Sequence, residues 1–215
     1  MSQTSAVSRA TKQKRKEPPT PKGRNTKAQI LEAARALLEE RGYFETSVGE
    51  ITRRSGIALG NFYRYFENKD MLCLQLLDLL ITEIEASTSG SWAKDDTMEN
   101  LRRSSLRYLT AYYKNRKLIA AMLQMSGAVP AGAALWWTLR RRSYDRIKHY
   151  LVSSKIARHI DPDLAATALG SMVEQFAYYW YVEGERHRKA VPKLERAADA
   201  LSRIWYRAVY ENHQP

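Results

Sequence analysis

Residues 56–70 read GIALGNFYRYFENKD, and they place Phe62, Tyr63, Tyr65 and Phe66 within five positions around Arg64. Asn61 precedes this cluster, and Asn68, Lys69 and Asp70 follow it at once. A buried core accounts for two phenylalanines but not for two tyrosines with an arginine between them. Phenol, guanidinium, amide and ammonium groups in so short a space are hydrogen-bond donors suited to a polyanionic partner. Catalytic chemistry is poorly represented by contrast. His159, Asp161 and Asp163 in RHIDPD have metal-ligand side chains, yet the segment reads better as a loop entering a helix with Pro162 in its first turn. His149, four residues after Asp145, reads as an ordinary surface pair on a helix. The sequence contains no P-loop, nucleophile elbow or HExxH motif. Its single cysteine, Cys73, excludes an internal disulfide and a cysteine-rich metal site. An enzyme is therefore not expected, and no cofactor is implied.

The elements that must carry the aromatic cluster follow from periodicity. Ile30, Leu31, Ala34, Leu37 and Leu38 lie on one helical face over residues 27–41, and Gly42 closes that run. Either Thr46 or Ser47 can cap a second short helix, and Glu50, three residues after Ser47, completes a capping box; Gly56 ends the helix. Residues 59–66 form a third short helix that buries Phe62 and Phe66, at i and i+4, together with Ile57, so Tyr63 and Arg64 point elsewhere. Two short helices about a glycine turn, held on a first helix, make a helix-turn-helix unit. Residues 69–86 form a long helix capped by Asn68, and STSGSW breaks the chain at Gly90. Further helices are expected over residues 98–114, 117–125, 133–153, 162–182 and 191–210.

Composition agrees with an all-α protein: 215 residues, 44% hydrophobic, seven prolines, ten glycines and few β-branched runs. Residues 1–27 hold eight basic side chains against Glu17 alone, so +7 of the formal +12 sits in an N-terminal arm. Such an arm either seeks a polyanion or serves as a solubilising tail. Within it, Arg24 and Lys27 adjoin the first helix and would, if the polyanion is a nucleic acid, reach its backbone or the adjacent minor groove. Residues 119–139 carry no charge, but Gly127, Pro130 and Gly132 interrupt them, so two helices meeting at a loop fit better than a membrane span. No apolar signal core is evident near the N-terminus, and a cytoplasmic protein is expected.

The segment TKAQILEAARALLEERGYFETSVGEITRRSGIALGNFYRYFENKDML strongly resembles the tetracycline-repressor (TetR) family of bacterial transcription regulators. The resemblance rests on Gly42-Tyr43-Phe44, Thr46-Ser47, Gly56-Ile57, Gly60, the Phe62-Tyr63 and Tyr65-Phe66 pairs, and Asn68-Lys69-Asp70, all in order. It implies that Thr46 or Ser47 contacts phosphate at a helix N-terminus, where free N–H groups favour an anion. It further implies that Tyr63 and Tyr65 meet the DNA backbone or a thymine methyl and that Lys69 holds a phosphate. Leu59 and Asn61, flanking Gly60, stand where family members read bases, asparagine being able to bond adenine bidentately. Ala58 departs from the Ser or Thr of many relatives, which removes a cap and leaves any assumed operator sequence unsupported.

The remainder, through ATALGSMVEQFAYYWYVEGE and ADALSRIWYRAVYEN, resembles the ethionamide-regulator type of that family more loosely. In those relatives the last two helices pair with their symmetry mates. Here Leu164, Leu169, Met172, Val173, Phe176 and Trp180 form one stripe, and Leu194, Ala197, Leu201, Ile204, Trp205 and Ala208 another, each fit for a dimer interface or for a monomer core. Residues 176–182 are apolar or aromatic on every side, which suggests burial on two faces; Tyr179 joins Val173, Phe176 and Trp180 as pocket candidates. Tyr108, Tyr112, Met122, Met125, Trp136 and Trp137 either line an apolar cavity or fill the core. Glu174 either anchors a ligand or pairs with an arginine, and pairing is the simpler expectation.

The expected organisation is a basic arm at residues 1–23, a helix-turn-helix domain at 24–68, a linker helix at 69–88 and a ligand-binding and dimerisation domain at 89–215. The expected function is a homodimeric repressor that binds a palindromic DNA operator and is released by a small apolar or amphipathic effector. An activator, a carrier or enzyme with a borrowed DNA-binding head, and an architectural binder using the arm alone are the alternatives. No membrane partner is expected.

Overall fold

Thr20 stops the arm and starts the first helix: its Oγ1 accepts the Gly23 N–H at 3.1 Å, and Pro21 supplies a backbone already set for helix. In this computed structural model, which describes residues 18–88, 97–154, 160–184 and 190–210, α1 therefore spans Pro21–Arg41, six residues longer at its start than periodicity predicts. It ends at Gly42, whose φ of 83° with an extended ψ is open to glycine alone. The expected capping box is present at α2 (Val48–Ser55), with Ser47 as N-cap and Glu50 reciprocating, and Gly56 closes the helix in the left-handed region at φ 68°. Thr46 does not cap; its hydroxyl donates back to Gly42 O at 2.7 Å.

The third helix is shorter than expected. α3 covers Leu59–Phe62 only, and the chain passes through turns that bond Tyr65 N and Phe66 N to Phe62 O. Ala58 offers no side-chain cap, and the aromatic run has modest helix propensity. Asn68 Oδ1 accepts the Met71 N–H at 2.9 Å as α4 (Lys69–Thr88) begins.

The later helices are α5 (Thr97–Lys114), α6 (Arg116–Ala128), α7 (Pro130–Ser153), α8 (Pro162–Ala177) and α9 (Leu194–Tyr210). Only Val129 separates α6 from α7, because Pro130 begins a helix as readily as it ends one, so α7 starts three residues before position 133. At that junction Gly132 lies against the end of the Met125 side chain, 2.7 Å from where a Cβ would sit. Asp161 caps α8 by accepting the Asp163 and Leu164 N–H groups, as the loop reading of RHIDPD requires; His159 lies outside the described residues. Beyond Ala177 the expected α-helix widens into a π-helix, Tyr178–Glu183, and Tyr178 OH donates to Glu183 Oε1 at 2.8 Å across the matching five-residue spacing. No strand occurs among the described residues, and none of their helices is long and apolar enough to cross a membrane. The break at Gly90 and arm residues 1–17 lie outside them.

The chain divides into two compact units. The first comprises Met1–Ile81 with Lys117–Thr138, the second Thr82–Arg116 with Leu139–Pro215. This division differs from the expected boundary at 68 and 88: it falls within α4 and takes α6 and the start of α7 into the N-terminal unit. In the first unit Ile30, Leu38, Ile51, Phe62, Leu72 and Leu77 are fully enclosed, with Cys73 among them. Burial pushes the Cys73 thiol up to about 12, which makes it an inert core residue. In the second, α9 packs along α5, and Leu151, Ala165, Ala166, Leu169 and Val209 form a core against which Met172 and Trp205 rest.

Candidate nucleic-acid interface

Phe62 is the fastening of the helix-turn-helix. It is fully buried, with its ring 5.7 Å from that of Phe66 and edge-on to Tyr63 at 5.4 Å. Because α3 turns this one side chain inward, its neighbours are turned out: Leu59 is 51% and Tyr63 47% exposed. Gly60 is exposed with open space around it, and Asn61 and Tyr65 are half-buried. These residues form a small face of methyl, amide and phenol groups beside the exposed Arg64. The sequence reading missed Phe44, 65% exposed with its ring edge against Tyr43. Its position in the loop before α2 was the available signal.

Ion pairs across α1 and α2 support this face. Arg41 pairs with Glu50, and Arg54 Nη1 with Glu40 Oε2 at 2.6 Å. Ser47 donates to Glu50 through its hydroxyl and its backbone N–H, and these bonds, with a smaller share from Arg41, hold the Glu50 carboxyl below the usual carboxylate range. The Arg54 guanidinium does the same for Glu40.

Four basic or hydroxyl residues expected at phosphates have other engagements. Lys27 is buried, and Thr46 is buried with its hydroxyl on Gly42 O. Lys69 Nζ donates to Tyr43 O at 2.9 Å and Thr46 O at 3.0 Å, and stands 4.0 Å over the Tyr43 ring. Two of its three donors thus tie α4 to the α1–α2 loop. Arg24, although exposed, donates to Pro18 O and Pro19 O and folds the end of the arm onto α1. For Thr46, Lys69 and Arg24 the reason is common: carbonyls in the loop and before α1 need donors, and the nearest basic or hydroxyl side chains supply them. Ser47 alone of the hydroxyl pair is exposed.

The residues expected to bind a ligand fall into both units. Met122, Met125 and Trp136 are buried in the first, whereas Trp137 is 63% exposed and belongs to no enclosed site there. In the second, Tyr108 and Tyr112 of α5 have their rings 5.9 Å apart, and Phe176 and Trp180 have theirs 6.3 Å apart. Val173 is half-buried and Tyr179 is 46% exposed. Glu174 pairs with an arginine, as expected: Arg140 Nε meets its Oε1 at 2.7 Å, and Tyr144 OH reaches Oε2 at 3.4 Å. Burial, reinforced by the Glu174 charge, raises both the Tyr108 and Tyr112 phenols, so they are neutral donors beside a carboxylate.

The stripe assigned to a dimer interface on α9 proves to span two faces. Ala197 and Leu201 are buried within the chain, and Leu194 and Trp205 half-buried, whereas Ile204 is 52% exposed and Ala208 is exposed. Counting Trp205 and Ile204 on one stripe, although adjacent residues differ by 100° on a helix, caused the mixture. On α8, Leu164 is 68% exposed and continues through Ala168, Ser171 and Gln175 along an open face, while Met172 turns inward to the core.

Residues 30–76 match the family described as bacterial regulatory proteins, tetR family. Over that segment the chain is similar to the TetR family. It is 26% identical over 214 residues to the HTH-type transcriptional regulator EthR of Mycobacterium tuberculosis, covering 96% of this chain and 97% of that protein. The structure of a TetR-like transcriptional regulator from Rhodococcus sp. RHA1 matches at 27% identity and a TM-score of 0.63, over 85% of this chain and 94% of that one. The SmeT–triclosan complex matches in fold at 20% identity and a TM-score of 0.65, over 88% and 93%. The chain shares with these proteins an all-α fold whose matched N-terminal segment holds the helix-turn-helix.

Proposed function

We propose that this protein is a dimeric TetR-type repressor that recognises its operator through residues 59–63 and leaves it when a small apolar or amphipathic molecule binds. The observation that carries the DNA reading is the sorting on α3: one fully buried Phe62 with Leu59 and Tyr63 turned outward. Methyl and amide groups at Leu59 and Asn61 suit thymine and adenine edges, while Tyr63 and Ser47 suit phosphate. Effector release is supported by the triclosan bound in SmeT and by the aromatic residues of α5 and α8. Dimerisation is assigned to the open faces of α8 and α9, with Leu164 and Ile204 as their exposed apolar members.

The test begins with selection of a duplex from a random pool by the full chain. Tyr63→Ala should weaken binding to that duplex roughly tenfold while leaving helicity and melting temperature unchanged. Unchanged affinity would remove Tyr63 from the interface. Ile204→Arg or Leu164→Arg should yield a monomer in light scattering and abolish specific binding; a persistent dimer would refute the assigned faces. Triclosan and a panel of apolar compounds, ranked by thermal shift, should include at least one that releases the duplex. Stabilising compounds that never alter DNA affinity would refute the effector switch.

A further inference from the structure

We propose that Gln124 is a positioning residue for DNA recognition, the tie by which α6 sets the loop that leads into α2. The proposal rests on the DNA-binding reading above and adds a residue far from the helix-turn-helix in sequence. Gln124 Oε1 accepts the Tyr43 backbone N–H at 2.8 Å across 81 residues of sequence. That donor lies just past the end of α1, where the chain has left the helical path at Gly42.

The fit between the two groups is close. A Cβ on Gly42 would lie 2.7 Å from Gln124 Oε1 and 3.2 Å from its Nε2, so the amide is packed over the bare Cα. Gly42 thus meets two demands, a φ of 83° and room for the Gln124 head group. The same loop is held from α4 by Lys69 on Tyr43 O and Thr46 O, and by Tyr43 OH donating to Asp70 Oδ1. One residue past Thr46, Ser47 caps α2, and α2 runs through Gly56 into the exposed α3 face. The loop therefore fixes where α2 begins, and with it the aim of Leu59, Asn61 and Tyr63.

Lys69 and Asp70 open α4, the next helix after α3, so their ties are local to the helix-turn-helix region. Gln124 differs because it comes from α6, between the fully buried Met122 and Met125. Any displacement of α6 along or about its axis carries the amide with it. A glutamine serves better here than a longer cation because its carbonyl accepts while its short stem leaves the amide little freedom.

Three full-length proteins decide the matter. Gln124→Met keeps the volume and removes the acceptor, whereas Gln124→Glu keeps the acceptor. Each is compared with the wild type by amide hydrogen exchange over residues 42–47 and by affinity for the duplex selected by the wild type and for a random-sequence duplex. The methionine variant should exchange the Tyr43 amide at least tenfold faster and lose about tenfold in affinity for the selected duplex, with the random duplex unaffected. The glutamate variant should stay within about twofold of wild type on all three. Unaltered exchange at Tyr43 in Gln124→Met would overturn the tie, and altered exchange with undiminished selected-duplex affinity would overturn its role in positioning. Equal losses on both duplexes would also overturn it, since that marks general destabilisation. If the wild type enriches no duplex, the DNA reading itself fails, while exchange at Tyr43 still decides whether the tie exists.

Discussion

The two units of this molecule each bury a tyrosine, by opposite means. Tyr43, in the first, has its phenol on Asp70, its ring beneath the Lys69 ammonium, its N–H on Gln124 and its carbonyl on Lys69. Tyr181, in the second, is fully buried with its ring edge-on to Tyr113 at 5.4 Å, yet its hydroxyl has no hydrogen-bond partner among the described residues. Burial pushes that phenol up to about 12, so it remains neutral. A residue with every polar group satisfied is defined in position and angle, as a surface that must match DNA requires. A side chain held by packing alone has no polar bond to fix its angle, so it tolerates neighbours that shift.

The largest test of this contrast is Phe62→Ala. Removing a fully buried aromatic from the small head should cost about 3 to 5 kcal/mol in chemical unfolding. A cost below about 1 kcal/mol would mean that the head is as loosely packed as the contrast assigns to the body.

The same chemical change at the two tyrosines should then differ in sign. Tyr43→Phe deletes a hydrogen bond to a carboxylate and should destabilise by about 2 kcal/mol. Tyr181→Phe removes a hydroxyl with no partner and should be neutral or stabilising by up to about 1 kcal/mol. Equal losses at both sites in parallel urea titrations would erase the distinction. Between these lies the Arg140–Glu174 pair, one of several polar ties of α7 to α8. Because Arg140 is 38% exposed, a double-mutant cycle should give a coupling of only about 1 kcal/mol.

The head was legible in the sequence because its signals are local. Ser47 with Glu50, Gly42, Gly56 and the i, i+4 phenylalanines each act within a turn of themselves, and each appears where periodicity puts it. What the sequence concealed there is long-range: Gln124 lies 81 residues from its partner, and no spacing rule reaches that far. Lys69 is a related case: a lysine at a helix start reads as a phosphate ligand, and the loop carbonyls that two of its donors serve come from 23 and 26 residues away. In the second unit, stripes revealed that α8 and α9 are amphipathic but not which side faces inward. Ile204 and Leu201 are three positions apart, both apolar, and opposite in exposure. The π-helix after Ala177 has no simple sequence signature; its Tyr178–Glu183 bond became visible only with the backbone in place.

The smallest effect concerns pH. The capping box holds Glu50 ionised through the Ser47 hydroxyl and N–H, so its folded-state value lies below that of an unfolded glutamate, roughly 4.3. A group depressed on folding contributes stability that is complete above the unfolded value and disappears as pH falls through the folded one. Head stability should therefore decline on acidification below about pH 4.3, and Glu50→Gln, which keeps an acceptor but cannot titrate, should lack that part of the decline. The wild type should exceed Glu50→Gln in stability at neutral pH, with the gap closing as pH falls through the depressed folded-state value. Ser47→Ala removes the partner and should cost about 1 kcal/mol at neutral pH, while also flattening the acid slope. Glu99 provides the control in the second unit. Arg102, followed by Arg103, depresses it on α5, so Glu99→Gln should show the same closing gap, with Ser47→Ala leaving that gap intact. If Ser47→Ala left the acid slope at Glu50 unchanged, the depression would belong to Arg41 instead, and the head would owe that part of its order to an exposed ion pair rather than to the cap.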